Sequence, residues 1–262
     1  MSLPVFQVDA FTDKPFTGNP AAVVLLERQA ETSWMQAVAR EMNLSETAFV
    51  HPQTGGFHLQ WFTPKVEVEL CGHATLATAH ILWQTNLAKS TEPIRFSTLS
   101  GWLTAVKKHN LIELDFPSAP LAESDVSEEI IRAVGAMPDY VGVSRDKWLF
   151  EYENEKIICG LKPDFAFLGT RKGRGLVVTA SSSQPGVDFV SRYFAPWVGI
   201  NEDPVTGSAH CILGPYWGKK LGKTEMTARQ LSERGGEVKV RLSGDRTYVG
   251  GKAVTVFGGN LA

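Results

Sequence analysis

Leu70-Cys71-Gly72-His73-Ala74-Thr75 and Val205-Thr206-Gly207-Ser208-Ala209-His210 are two versions of one pattern, a glycine that opens an apolar stretch. The two glycines lie 135 residues apart, and the same interval joins Gly101 to Gly236, Leu103 to Val238, and the segment around Leu114 to that around Val249. Upstream, Trp61-Phe62-Thr63-Pro64-Lys65-Val66 matches Tyr193-Phe194-Ala195-Pro196-Trp197-Val198 at an interval of 132, which puts a three-residue insertion between the blocks. Self-similarity at a fixed interval signals a duplicated architecture. The chain therefore reads as two similar halves, 1–116 and 117–262, divided where Pro117 to Pro120 interrupt the strands; the final strand could pack back on the first half. An unchanged interval also implies a helix and a following strand of matching length in each half.

Each half has one long apolar helix among short strands. Ala74 to Leu82 is apolar nearly all round, the signature of a helix buried on most sides. Short, turn-bounded apolar runs predict strands near 3–11, 21–26, 45–51, 57–63, 93–98, 102–107 and 111–116. Ser33 is placed to cap a helix over 34–42, where Met35, Val38, Ala39 and Met42 share a face. Gly18-Asn19-Pro20 supplies turn chemistry between the first two strands. The expectation is an α+β fold of two like halves, each a curved, mostly antiparallel β-barrel wrapped around a central helix.

Composition narrows the partners. The 262 residues are 43% hydrophobic and 21% charged, an ordinary globular balance, and the net charge is −2. No basic patch suggests a nucleic-acid backbone or an anionic membrane. Cys71, Cys159 and Cys211 are odd in number and widely spaced, which argues against both a structural zinc site and a disulfide framework. No signal-like start or membrane-length apolar run is present, so a soluble, cytosolic protein is expected.

The matched helix starts are the first candidates for chemistry. First-turn N–H groups and the helix dipole suit a carboxylate. Two such starts, at Cys71-Gly72-His73 and Thr206-Gly207-Ser208, could serve a small acidic ligand in a cleft between the halves; alternatively each glycine only permits a tight turn and Ser208 only caps. Asp203, held extended by Pro204, either points at a ligand or sits in an exposed loop. Glu46, between a helix and the apolar run Thr47-Ala48-Phe49-Val50, is either a carboxylate tuned for general acid/base work or a strand-edge residue facing water. His73 could be an acid/base, a hydrogen-bond donor to a ligand, or a core histidine. Cys71 and His73, two apart at a helix start, need not face each other. Trp61, Trp197, Trp217 and Cys211 read as packing.

Gly18-Asn19-Pro20-Ala21-Ala22-Val23, Leu44-Ser45-Glu46-Thr47-Ala48-Phe49, Trp61-Phe62-Thr63-Pro64, Leu70 to Thr75, Glu202-Asp203-Pro204-Val205-Thr206-Gly207-Ser208-Ala209 and Ser232-Glu233-Arg234-Gly235-Gly236 run in order across nearly the whole chain. Together they resemble the phenazine-biosynthesis PhzF-like family. The resemblance implies the diaminopimelate epimerase fold, commonly a homodimer, with no metal or organic cofactor. It implies an isomerase acting on a small carboxylate-bearing molecule, Glu46 moving the proton. His73, Asp203, Ser208 and Asn19 would then surround the substrate, and Gly72 and Gly207 would offer backbone N–H groups. The epimerase uses a thiol from each half; Cys71 matches the first, but Thr206 stands at the second. That departure favours one-base isomerisation over a two-thiol racemase. An epimerase using Cys71, and a non-catalytic metabolite- or protein-binding member, are the alternatives.

Overall fold

A computed structural model of the chain describes Leu3–Leu261. The chain up to Phe116, together with the residues from Tyr248 on, forms one compact unit; Pro117–Thr247 forms the other.

The first unit opens with β1 (Leu3–Ala10), β2 (Asn19–Leu25), α1 (Thr32–Met42), β3 (Glu46–Gln53), β4 (Gly56–Phe62) and β5 (Glu67–Val68). Its central helix α2 (Gly72–Gln84) follows, then β6 (Ile94–Thr98), β7 (Gly101–Lys108) and β8 (Leu111–Pro117). In the second unit come β9 (Ala122–Glu123), α3 (Glu128–Val134), β10 (Tyr140–Ser144), β11 (Lys147–Glu151), α4 (Glu155–Gly160) and α5 (Phe165–Gly169). They are followed by β12 (Gly175–Ser181), β13 (Phe189–Ala195), β14 (Ile200–Glu202), α6 (Gly207–Leu221), β15 (Glu225–Gln230) and β16 (Gly236–Ser243). Strand β17 (Arg246–Gly251) carries the chain back, and β18 (Ala253–Leu261) pairs antiparallel with β1. That ladder is why the residues from Tyr248 on belong with the first unit.

The strand pairings repeat. In the first unit β1–β2 is antiparallel, β2–β3 parallel, β3–β4 and β4–β5 antiparallel, β4–β6 parallel and β6–β7 antiparallel. In the second, β10–β11, β11–β12, β12–β13, β13–β14, β13–β15 and β15–β16 follow the same series of directions. Register then assigns equivalent residues. Thr47 lies opposite Phe62, and Leu176 opposite Phe194, so Glu46 is the equivalent of Gly175. The parallel ladders align Ala21 with Glu46 and Lys147 with Gly175, so Lys147 is the equivalent of Ala21.

The constant interval conceals compensating changes. Phe57 pairs with Phe96 and Phe189 with Ala228, so β6 and β15 are 132 residues apart. The interval returns to 135 at β7 and β16, because Phe96 faces Leu103 and Ala228 faces Val238. Helix α6 has 15 residues against 13 in α2. The second unit thus has a longer helix, a shorter exit from it, and three additional residues in the β15–β16 connection.

Helix α2 is buried from His73 to Ala79 and again from Ile81 to Trp83. It lies against β1, β2, β3, β7 and β18, so strands surround it, as its all-round apolarity requires. Helix α6 packs on β15 and β16; a Cβ at Gly214 would press on Val240 and one at Gly218 on Leu242, so both glycines permit the close approach to β16. Trp61 and Trp217 are core residues, and Trp197 stacks edge-on against Trp148. Helix α1 starts two residues before the predicted start. Its cap is Glu31, whose carbonyl takes the N–H groups of Trp34 and Met35, and Ser33 lies inside it. Between β1 and β2 the positive φ angles fall on Phe11, Phe16 and Gly18; a Cβ at Gly18 would collide with the Ala10 carbonyl. Among the described residues, no helix is long and apolar enough to cross a membrane.

Candidate active site

In the first unit, the start of β3 and the start of α2 bring three reactive side chains together. His73 Nε2 lies 3.3 Å from Glu46 Oε2, and Cys71 Sγ lies 3.5 Å from His73 Nδ1. The imidazole therefore stands between a thiol and a carboxylate. Cys71 reaches back because it is the N-cap of α2, in extended conformation (φ −142°, ψ 108°). The two side chains thus meet, against the expectation that they need not. One ligand atom from each of the three residues lies within 4.8 Å of the others. Carboxylate, thiolate and imidazole are donors zinc accepts, though each ring nitrogen faces a different neighbour.

His73 is buried, and burial pushes its pKa down to about 3, opposed by a hydrogen bond to the Pro20 carbonyl. The ring is neutral at physiological pH. Pro20 adjoins Asn19, whose side chain is fully buried at the head of β2. Asn19, Glu46, Gly72 and His73 thus fall in one unit, the first three at the starts of β2, β3 and α2.

Asp203, Gly207 and Ser208 form a separate group in the second unit. The Thr206 hydroxyl donates to Asp203 Oδ2, and the Asp203 N–H donates to the Tyr193 carbonyl at 3.0 Å. Neighbouring Glu202 is held by Arg192 through two bonds, 2.7 and 2.8 Å, an architectural pairing. Thr206 is the N-cap of α6 but does not cap it with its side chain. Nor does Ser208 serve as a cap: its Oγ accepts a 2.9 Å hydrogen bond from Lys147 Nζ. Two residues of this group, Lys147 and Gln230, were missed by sequence reasoning. The buried Gln230 side chain accepts from the Thr206 N–H (2.9 Å) and donates to the Asp203 carbonyl (2.7 Å). The available signal for Lys147 was a lysine heading the apolar run Trp148-Leu149-Phe150. His210 Nδ1 contacts the Thr206 carbonyl at 2.9 Å, and burial pushes its pKa down to about 4. Cys211 is a core thiol pushed up to about 12 by burial.

With this geometry in place, comparison with known proteins is decisive at one level. The family model described as phenazine biosynthesis-like protein matches residues 8–259. The chain belongs to the phenazine biosynthesis-like (PhzC/PhzF) family. An uncharacterized isomerase of Halalkalibacterium halodurans is 52% identical over 262 residues, covering 100% of this chain and 99% of that one. The crystal structure of a PhzF family protein from Enterococcus faecalis is 41% identical, with a TM-score of 0.95 and 100% of both chains covered. A hydroxyproline epimerase from Agrobacterium vitis shares the fold alone, with a TM-score of 0.65 at 9% identity, covering 99% of this chain and 91% of that one. The PhzF family and its isomerase-named relatives place the chain among isomerase-type enzymes.

Proposed function

We propose that this PhzF family member is a cofactor-independent isomerase that moves a proton on a small carboxylate-bearing metabolite, with Glu46 as the general acid/base. One observation carries the reading: a Glu46 carboxylate 3.3 Å from a buried, neutral imidazole. A neutral imidazole, unlike a fixed cation, leaves a neighbouring carboxylate its basicity. Glu46 takes a proton from a substrate carbon, the electron pair delocalises toward the adjacent unsaturated group, and the same carboxyl returns the proton to another carbon. Atoms and charge balance without a second base. His73, pinned to Pro20, orients the Glu46 carboxyl, while Asn19 and the Gly72 N–H are assigned to holding the reacting part of the substrate. Asp203, Gly207 and Ser208 are assigned binding roles in the second unit.

A second reading is supported by the Cys71–His73 contact: an epimerase in which the thiol exchanges a proton through the imidazole.

The test is one-dimensional NMR in heavy water with wild type and Glu46→Gln against small carboxylates, including dihydro-hydroxyanthranilate and amino acids. Exchange or rearrangement by wild type, lost in the folded variant, is the expected result. Full activity in Glu46→Gln would sink the assignment.

A further inference from the structure

We propose that Glu46, Cys71 and His73 form a binding site for a zinc-like divalent cation, which shuts the isomerase off while it is bound. The starting observation is a pair of electron-rich atoms facing each other. His73 Nε2 is buried and makes no hydrogen bond, although Glu46 Oε2 lies 3.3 Å away. The ring does hydrogen-bond to the Pro20 carbonyl. A carbonyl only accepts, so the ring proton is on Nδ1, and Nε2 presents its lone pair to the carboxylate. A buried polar atom without a partner is exceptional and points to a group that arrives from outside. A cation between the two atoms satisfies both. Zinc bonds to nitrogen and carboxylate oxygen measure about 2.0–2.2 Å, so a tetrahedral ion sets such donors roughly 3.3–3.5 Å apart. That is the separation found. The Glu46 side chain is the more exposed of the pair, 15% against 6%, so the ion enters from its side.

Cys71 supplies the third ligand, since one donor atom from each of the three residues lies within 4.8 Å of the others. Its sulfur sits 3.5 Å from Nδ1, and a tetrahedral site asks for roughly 3.6 Å from Nε2 and from the carboxylate oxygen. Rotation about the Cα–Cβ bond of Cys71, a cap residue in extended conformation ahead of the helix, carries the sulfur across. The Pro20 carbonyl on Nδ1 is the outer contact that a metal-bound imidazole makes, and it fixes both tautomer and ring orientation. Thiolate and imidazole select zinc over magnesium or calcium. On binding, Cys71 gives its thiol proton to solvent and ligates as the thiolate, with no change of oxidation state. The duplication confines the donor set to one half. The equivalent positions of the second unit carry Gly175, Thr206 and Ser208, which offer no carboxylate, thiolate or imidazole. The site also gives a use to the Cys71 thiol, which one-base isomerisation leaves idle. Shut-off rests on the acid/base reading above, because a Glu46 carboxylate that ligates a cation cannot take a substrate proton; the metal site itself does not.

The experiment titrates the full chain, stripped of metal with a chelator and kept reduced, with Co²⁺ as a visible probe and Zn²⁺ as competitor. One Co²⁺ per chain should give tetrahedral ligand-field bands and a thiolate-to-cobalt charge-transfer band, all bleached by Zn²⁺ and untouched by Mg²⁺. Cys71→Ala should lose the charge-transfer band and weaken Zn²⁺ binding about 100-fold or more, since even an outer-shell partner is worth roughly 10–100-fold. Glu46→Gln should keep that band but weaken Zn²⁺ about 10-fold or more. Cys159→Ala, which removes the exposed thiol, should keep both spectrum and affinity. Absence of the charge-transfer band in wild type, its survival in Cys71→Ala or its loss in Cys159→Ala overturns the site, as does unchanged affinity in Glu46→Gln. The spectra need no turnover, so the two readings fail separately. A cobalt site without proton exchange on any carboxylate removes the acid/base role alone. Exchange that needs Glu46, in a chain that shows no cobalt site, removes the metal site alone. Exchange undiminished by saturating Zn²⁺ removes the shut-off.

Discussion

Gly175 holds in the second unit the ladder position that Glu46 holds in the first. No side chain fits there: a Cβ on Gly175 would run into the Tyr193 hydroxyl and ring. Tyr193 is itself the equivalent of Trp61. The duplicated scaffold has therefore kept a carboxylate in one half and filled its place with a phenol in the other. Gly175→Ala is expected to cost about 1–3 kcal/mol by overpacking. Combination with Tyr193→Leu should cost less than the sum of the single changes. Strict additivity in urea unfolding would show that Tyr193 does not occupy the space.

Stability should fall on mild acidification because two histidines are buried neutral. The folded pKa of His73 is about 3 and that of His210 about 4, both depressed by burial. Depressed values mean that the unfolded chain takes up these protons first. The stabilising contribution is complete above the ordinary histidine pKa of about 6.5. It declines by up to about 1.4 kcal/mol per pH unit for each histidine as pH drops through the window, ending near the folded values. His210→Gln keeps a donor for the Thr206 carbonyl, so it should roughly halve that slope between pH 6.5 and 4. Urea midpoints across this range check it, and parallel curves for the two proteins would contradict it.

The fold was legible because duplication leaves a signal at long range: matched helix starts, a matched Phe-x-Pro block, and strands that recur in the same order. Glu46 and His73 were legible as candidates, since each sits at the head of an apolar element. Their proximity was not, because 27 residues separate them and only the packing of α2 against β3 brings them together. Lys147 was invisible for a related reason. Its importance depends on strand register, and a one-residue slip would turn its side chain to the other face. The two Gly-led intervals also suggested equal helices, whereas α6 outgrows α2 and the difference is absorbed in two connections.

Cys71 separates the two enzymatic readings. Its thiol is buried against the His73 ring. Where Glu46 alone moves the proton, Cys71→Ala should lower exchange by less than about 10-fold. Were the thiol an essential acid or base, the loss should reach the 10²–10⁴-fold range, roughly, of a deleted proton-transfer group. Solvent-deuterium incorporation rates for wild type, Cys71→Ala and Glu46→Gln decide the matter. A large loss in Cys71→Ala with little loss in Glu46→Gln would reverse the assignment.

Gln230 should prove the main support of the second unit's helix start. Its amide reaches three groups at once: the Thr206 N–H, the Asp203 carbonyl and, at 3.2 Å, the Thr206 hydroxyl. That hydroxyl in turn donates to the Asp203 carboxylate, so one buried side chain fixes the whole loop before α6. The longer β15–β16 connection reinforces it, since Ser232 Oγ donates to the Pro204 carbonyl at 2.7 Å. Gln230→Leu is close in size but leaves a buried N–H and a buried carbonyl without partners. Each unsatisfied group costs roughly 1–3 kcal/mol. The variant should lose about 3 kcal/mol or more in urea unfolding. Ser232→Ala, which removes the bond to Pro204 and the one its Oγ accepts from the Gly235 N–H at 3.1 Å, both at a less buried position, should lose about 1–2 kcal/mol, roughly the net worth of two hydrogen bonds. Because the support is local, hydrogen exchange should quicken first at the amides of Thr206 to Ala209, while those of α2 stay protected. Uniform loss of protection across both units would instead make Gln230 a general core residue with no special hold on Asp203.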